Sequence, residues 1–352
     1  MRRLMSPPGE YGAALRDAGF RWLPVPMQRR SLNPLREVAL ILHLRRILRT
    51  EQPDLVHSFT IKSAVYGSLA ARMARIRHRV NAVAGLGFVF TNDSWKARLL
   101  RPIVKMLMRV ALNGSGTALI LQNPDDVEMF ENADIVDESR IHLIRGSGVN
   151  VSKFAQRPAD SNEVGRPLRV LLAARLLWDK GIAEYVDAVR ELRASGRQFE
   201  FLLAGEPDAG NPASVPREVV EKWNEDGTLT WLGHVSNMPE LLTSVDIMVL
   251  PSYREGLPKS MIEAAACGIA LVTTDAPGCR EVVSQDGVDG LLVPVKDSIA
   301  LAAAIARLHD DASLRKALGN NARARALAEF DERIVIEKTV ATYDGMLKRN
   351  GE

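Results

Sequence analysis

Cysteine is nearly missing from this chain: Cys267 and Cys279 are the only two in 352 residues. Two thiols make no disulfide framework, and no Cys/His cluster has the spacing of a zinc site. Both read as small core residues in a reducing compartment. Long apolar runs are missing too, and none approaches the roughly 18 residues that a spanning helix needs. Arg2 and Arg3 are followed by no apolar segment, so no signal peptide is expected. Acid is scarce at the start: residues 1–109 carry 20 Lys and Arg against 6 Asp and Glu. Such a surplus suggests a polyanionic partner. Residues 94–112 have the period of a helix, with Arg98, Arg101, Lys105 and Arg109 on one face. A basic amphipathic helix fits an anionic membrane surface better than a nucleic acid. A solvated helix face is the competing reading.

The rest of the composition is ordinary for a soluble globular chain, at 46% hydrophobic and 25% charged residues. Its length suits two domains of about 150 residues each. Apolar runs at 168–174, 199–204, 228–232, 245–250 and 269–273 predict strands. They alternate with helical stretches at 182–194, 238–242 and 258–267. Continuous apolar strands between helices indicate a parallel sheet covered on both faces. After residue 297 the pattern is helical almost throughout. The first half predicts strands at 20–25, 54–57, 79–83 and 117–121, and helices at 35–49 and 63–73. The expected class is therefore α/β, with two Rossmann-like domains facing a cleft. The predicted limits are 1–157 for the first domain, 158–167 for a linker and 168–328 for the second. A C-terminal helix at 329–352 can cross back to the first domain. The N-terminal domain lacks an obvious first strand and helix, because residues 4–9 resemble the tail of a second strand. A misplaced start codon or a true truncation would each explain that.

The most telling segment is residues 251–263. Glu255 lies in the loop after an apolar strand, and Glu263 lies eight positions on, in the next helix. Ligands of open α/β sheets bind in the crevice at the strand ends. Carboxylates accept hydrogen bonds from vicinal hydroxyls, and a helix N-terminus favours phosphate. A ligand with sugar hydroxyls at both ends and a diphosphate between suits this pattern. Gly256 and Leu257 can aim backbone N–H groups at that diphosphate, and Lys259 and Ser260 can add donors. Arg175 and Lys180 bracket another strand-to-helix loop, where a guanidinium fork and an ammonium suit the same diphosphate. Gly205-Glu206 and Gly233-His234 each end a strand in the same crevice, although His234 also reads as a surface imidazole.

Residues 255–268, with Arg175 and Lys180, resemble the donor signature of retaining glycosyltransferases of family 4, which have the GT-B fold. The resemblance implies that Glu255 touches the transferred sugar and Glu263 the nucleotide ribose, while Arg175 and Lys180 grip the diphosphate. Near Gly205 and His234 it implies base and ribose contacts. Residues 54–67, 81–90 and 145–150 are similar to a bacterial subgroup that builds capsule, O-antigen and lipid-linked oligosaccharides, often on undecaprenyl diphosphate. That implies a UDP-sugar donor and a lipid-linked or polysaccharide acceptor. It also implies a place at the inner membrane face, with Lys62 near an incoming phosphate. Many family members carry a His on an N-domain loop; here the stretch reads Val83-Ala84-Gly85. No Asp-x-Asp triplet occurs, so neither a metal nor another cofactor is expected. An inactive paralogue that only binds nucleotide sugar or membrane, and a nucleotide-sugar epimerase, are the alternatives.

Overall fold

The computed structural model describes residues 3–9, 11–28, 31, 33–83, 95–156 and 166–348. The chain divides into two compact units. The first takes Met1–Leu121, Val127–His142 and Ala341–Glu352, and the second takes Gln122–Asp126 and Leu143–Val340. Most of the expected linker, 158–165, lies outside the described residues, as does Gly85.

The first unit holds two parallel pieces of sheet. Strands β1 (Arg3–Ser6) and β2 (Arg21–Pro24) pair with each other across helix α1 (Tyr11–Asp17). Helix α2 (Pro34–Glu51) leads to β3 (Leu55–Phe59), α3 (Ile61–Met73), β4 (His78–Val83), α4 (Trp95–Leu112) and β5 (Thr117–Leu121). Helix α5 (Pro124–Asn132) and strand β6 (Ile141–Leu143) follow, giving a sheet in the order β3-β4-β5-β6. Among the described residues the two pieces share no ladder. All five residues of β5 are buried, and Leu119 and Leu121 meet Val65, Met108 and Phe130 in one core. Helix α3 packs tightly through its small residues, with Ala64, Gly67, Ser68 and Ala71 buried.

The second unit is a single six-stranded parallel sheet in the order β12-β11-β10-β7-β8-β9. Its strands are β7 (Leu168–Ala173), β8 (Phe199–Ala204), β9 (Thr230–Gly233), β10 (Ile247–Leu250), β11 (Ala270–Thr274) and β12 (Leu291–Val293). Between them run α6 (Ile182–Ala194), α7 (Arg217–Glu225), α8 (Met238–Thr243) and α9 (Lys259–Ala266). Helices α10 (Ser298–Asp310), α11 (Ala312–Glu329) and α12 (Glu332–Lys348) close the chain. Alternate residues of β7 and β10 feed two cores. Val170, Leu172, Ile247 and Val249 face one with Tyr185, while Leu171, Met248 and Leu250 face the other with Met261 and Phe330. This two-sided burial is why β10 reads as an unbroken apolar run. The central strands β10 and β7 carry their loops to one edge of the sheet, where the Glu255 and Arg175 segments emerge. Asp297 and Asp311 start α10 and α11 by accepting from Ala300 N and Leu314 N, both at 2.8 Å.

Residues 143–156 pack with the second unit. Val149 N donates to Phe330 O at 2.8 Å, and Phe154 is buried in the second of these cores.

Candidate active site

The loop carrying Glu255 is tied down on several sides. Tyr253 N donates to Asp179 O and Glu255 N to Pro277 O, each at 2.9 Å. The Tyr253 hydroxyl donates to Glu184 Oε1 at 2.6 Å. Arg254 pairs with the fully buried Asp126. Pro258 caps the loop in an extended conformation, and α9 begins at Lys259. Proline suits that position because its missing N–H would be unpaired in the first turn anyway.

Glu255 faces Lys180, with Oε1 and Nζ 2.6 Å apart. Both side chains are mostly shielded, so this pair is stronger than a surface bridge. Arg175 Nη1 lies 3.1 Å from Asp208 Oδ2, in a pair open enough to yield to an incoming anion. Asp208 and the Lys180–Glu255 pairing were not foreseen in the sequence. Each expected diphosphate cation is thus matched to a carboxylate of its own unit.

Glu263 sits in the second turn of α9 and is 9% exposed. Burial holds its carboxyl above the usual carboxylate range, against the attraction of Lys259 and Lys153. Lys259 Nζ stands 3.9 Å from Oε1, and most of its side chain is in solvent. Beside Glu263 opens a cleft of about 390 Å³ whose lining includes Arg175, Gly205, Glu206, His234 and Ser260. Its floor is the C-terminal edge of β7 and β8. Gly205 N donates to Gly233 O at 2.7 Å, which keeps those two strand ends together. Glu206 accepts from His234 N at 3.2 Å and from Arg217 Nη2 at 2.6 Å. The His234 residue itself is exposed. Glu255, Lys180, Gly256, Leu257 and Lys259 are outside this lining. The site therefore has two parts: a cleft under Glu263, and a charged pair with backbone amides beside Glu255.

Lys62 belongs to the first unit. Its ammonium donates to Gln28 O at 2.8 Å, Ser31 O at 3.1 Å and Glu37 Oε1 at 2.9 Å. An ammonium has three donors, so Lys62 staples the segment before α2 to the start of α3. On α4, Lys105 and Arg109 are exposed, and Arg109 pairs with Asp134 at 2.6 Å. Arg101 is half-buried, and the side chain of Arg98 lies outside the described residues. Ile103, Met106, Leu107 and Val110 on the same helix are also exposed.

If Glu263 accepts ribose hydroxyls, it must be ionised. A raised pKa brings its protonation to milder acidity, so donor KM should climb over the window from neutral to mildly acidic pH. Glu263→Gln should show a high KM that is flat over that window. Donor KM against pH for both proteins checks this, and parallel curves would count against Glu263 as the ribose contact.

Residues 154–325 match the family described as glycosyl transferases group 1, and residues 4–123 match glycosyl transferase 4-like. An N,N'-diacetylbacillosaminyl-diphospho-undecaprenol alpha-1,3-N-acetylgalactosaminyltransferase of Campylobacter jejuni is 32% identical over 97% of this chain and 90% of its own. A UDP-Gal:alpha-D-GlcNAc-diphosphoundecaprenol alpha-1,3-galactosyltransferase of Escherichia coli is 25% identical, covering 94% of this chain and 85% of its own. Among solved structures, Anabaena HepE in complex with UDP has a TM-score of 0.78 at 21% identity, over 97% of this chain and 91% of that one. The last likeness speaks to the fold. With the cleft and paired charges at the strand ends, these matches establish that the chain belongs to the family 4-like glycosyltransferases of the GT-B fold.

Proposed function

We propose that this enzyme moves a sugar, with retention at the anomeric carbon, from a UDP-sugar to a lipid-linked or polysaccharide acceptor. The donor sugar is a hexose or N-acetylhexosamine, and the product belongs to a cell-surface polysaccharide. The observation that carries the reading is the two-part site: a cleft under Glu263 beside the Lys180–Glu255 pair. Relatives whose names specify undecaprenyl-diphosphate-linked acceptors support the acceptor class.

In this reading the nucleoside lies in the cleft, with its ribose on Glu263 and its base near Gly205, Gly233 and His234. The diphosphate exchanges places with Asp208 on Arg175 and shares Lys180 with Glu255. The N–H groups of Gly256 and Leu257 also receive it, with Lys259 and Ser260 alongside. Glu255 then orients the sugar. The bond from the anomeric carbon to the diphosphate oxygen breaks as the acceptor hydroxyl bonds from the same face. The acceptor proton passes to the leaving diphosphate, so the protein supplies no separate base. Lys180 and Arg175 stabilise the charge that grows on the leaving group, and the reaction needs no metal.

The acceptor class calls for work at the cytoplasmic face of the membrane. No helix among the described residues is long and apolar enough to cross one. The exposed Ile103, Met106, Leu107 and Val110, with Lys105 on the same helix, support peripheral attachment to anionic lipid. Sedimentation with anionic vesicles but not neutral ones is expected, and equal recovery with both would remove the electrostatic part.

The direct test is UDP release from a panel of UDP-sugars, with and without undecaprenyl-diphosphate-linked sugar. Acceptor-dependent release from one donor is expected. Interconversion of UDP-sugars without acceptor would establish an epimerase instead, and donor binding without turnover an inactive binder.

A further inference from the structure

Asn123 follows β5, 133 positions from Gly256 in sequence, yet it touches the donor loop. It is fully buried. Its Nδ2 lies 2.8 Å from Gly256 O, 3.0 Å from Asp126 Oδ2 and 3.5 Å from Glu255 O. Its Oδ1 accepts from Asp126 N at 2.7 Å, which caps the start of α5. One amide thus does two jobs. The oxygen starts a helix, and the two N–H bonds go to Asp126 and to the loop that carries Glu255.

The second job has a directional consequence. In a trans peptide the carbonyl and the following N–H point to opposite sides. Holding Gly256 O toward Asn123 therefore turns Leu257 N–H away from it. The same relation links Glu255 O and Gly256 N–H. Gly278 gives an independent check. A Cβ placed there would lie 2.3 Å from Glu255 O and 2.6 Å from Gly256 O, so both carbonyls also face Gly278. Asn123 and Gly278 mark the carbonyl side of the loop, and the amide donors of Gly256 and Leu257 lie on the other.

We infer that Asn123 is a positioning residue for transfer: by anchoring the Gly256 carbonyl it aims the Gly256 and Leu257 N–H groups at the donor diphosphate. This rests on the proposal that those amides receive the diphosphate. Asp126 fixes the amide by accepting its other N–H, and Arg254 holds Asp126 in turn.

Two substitutions separate positioning from capping. Asn123→Ser keeps an oxygen that can cap α5 but cannot reach Gly256. Asn123→Asp keeps the shape and the cap while setting a carboxyl, in place of the donating amide, against the Gly256 carbonyl and Asp126. In both, kcat with the accepted donor should fall about tenfold or more, with a smaller change in donor KM, because leaving-group charge grows in the transition state. Thermal midpoints should stay near wild type for at least one. Should Asn123→Ser fail to fold, the near-isosteric Asn123→Asp carries the measurement. Wild-type kcat in a folded variant overturns the inference. So does a lowered midpoint with unchanged kcat per folded enzyme, which assigns Asn123 to capping alone. Absence of turnover in wild type would instead count against the transferase reading.

Discussion

Glu255→Gln should lower kcat at least about 100-fold while leaving donor KM near or below the wild-type value. Glu255 stands 2.6 Å from Lys180 in a shielded pair, so the carboxylate partly neutralises the cation that the donor diphosphate also needs. Glutamine keeps the size of the side chain and removes its charge. Lys180 would then be freer to meet the diphosphate in the ground state, which favours donor binding. The sugar, however, would lose the anion beside it as positive charge builds at the anomeric carbon. Lys180→Ala should act differently, raising donor KM and lowering kcat together, because it removes charge felt both before and during departure. The double variant should be little worse than the poorer single one, since two groups that act as a unit are not additive. Steady-state kinetics on the four proteins decides. A Glu255→Gln enzyme within about threefold of wild-type kcat would remove Glu255 from the sugar site.

The parts of this fold that were legible in the sequence are those buried on two faces. Strands β7, β8, β10 and β11 sit inside the sheet, so their sequences are continuous apolar runs and their limits were predicted within a residue or two. Strand β12 is an edge of three residues, too short to show any period. At the other edge β9 is half exposed, and it begins two residues later than expected. Helix α9 was legible because Pro258 and Gly268 punctuate it. For the candidate site, local spacing pointed to Glu255 and Glu263, and loop position to Arg175 and Lys180. It could not give their partners. Asp208 is 33 residues from Arg175, and Glu255 is 75 from Lys180. Asn123-Pro124-Asp125-Asp126 looks in sequence like a helix start and nothing more. Its reach to Gly256 belongs to tertiary structure. Lys62 shows the same gap: the resemblance implied a phosphate nearby, and the two carbonyls and Glu37 that chain folding brings to its ammonium could not be read from sequence spacing.

Gly278→Ala should disable the enzyme by displacing the backbone of the donor loop. Gly278 has φ +77°, a region that favours glycine, and its Cα faces two backbone carbonyls of the donor loop. The added Cβ would stand 2.3 Å from Glu255 O and 2.6 Å from Gly256 O, and neither is the yielding end of a flexible side chain. The loop has to move by an ångström or so, and displacements of that size in a catalytic constellation cost about 100-fold in rate. Gly196→Ala is the matched control. Gly196 has φ +74° but nothing within 4 Å of its ideal Cβ. That variant should lose only the left-handed backbone penalty, roughly 1 kcal/mol, and keep wild-type kcat. Gly278→Ala should lose about 2 kcal/mol or more in denaturant unfolding and about 100-fold in kcat/KM. The difference between the two isolates close approach from backbone conformation, because their φ angles are nearly the same. If the two variants were equally stable and equally active, the carbonyls of Glu255 and Gly256 could shift without consequence. The geometry of the Glu255 loop would then be a poor guide to how the donor is held.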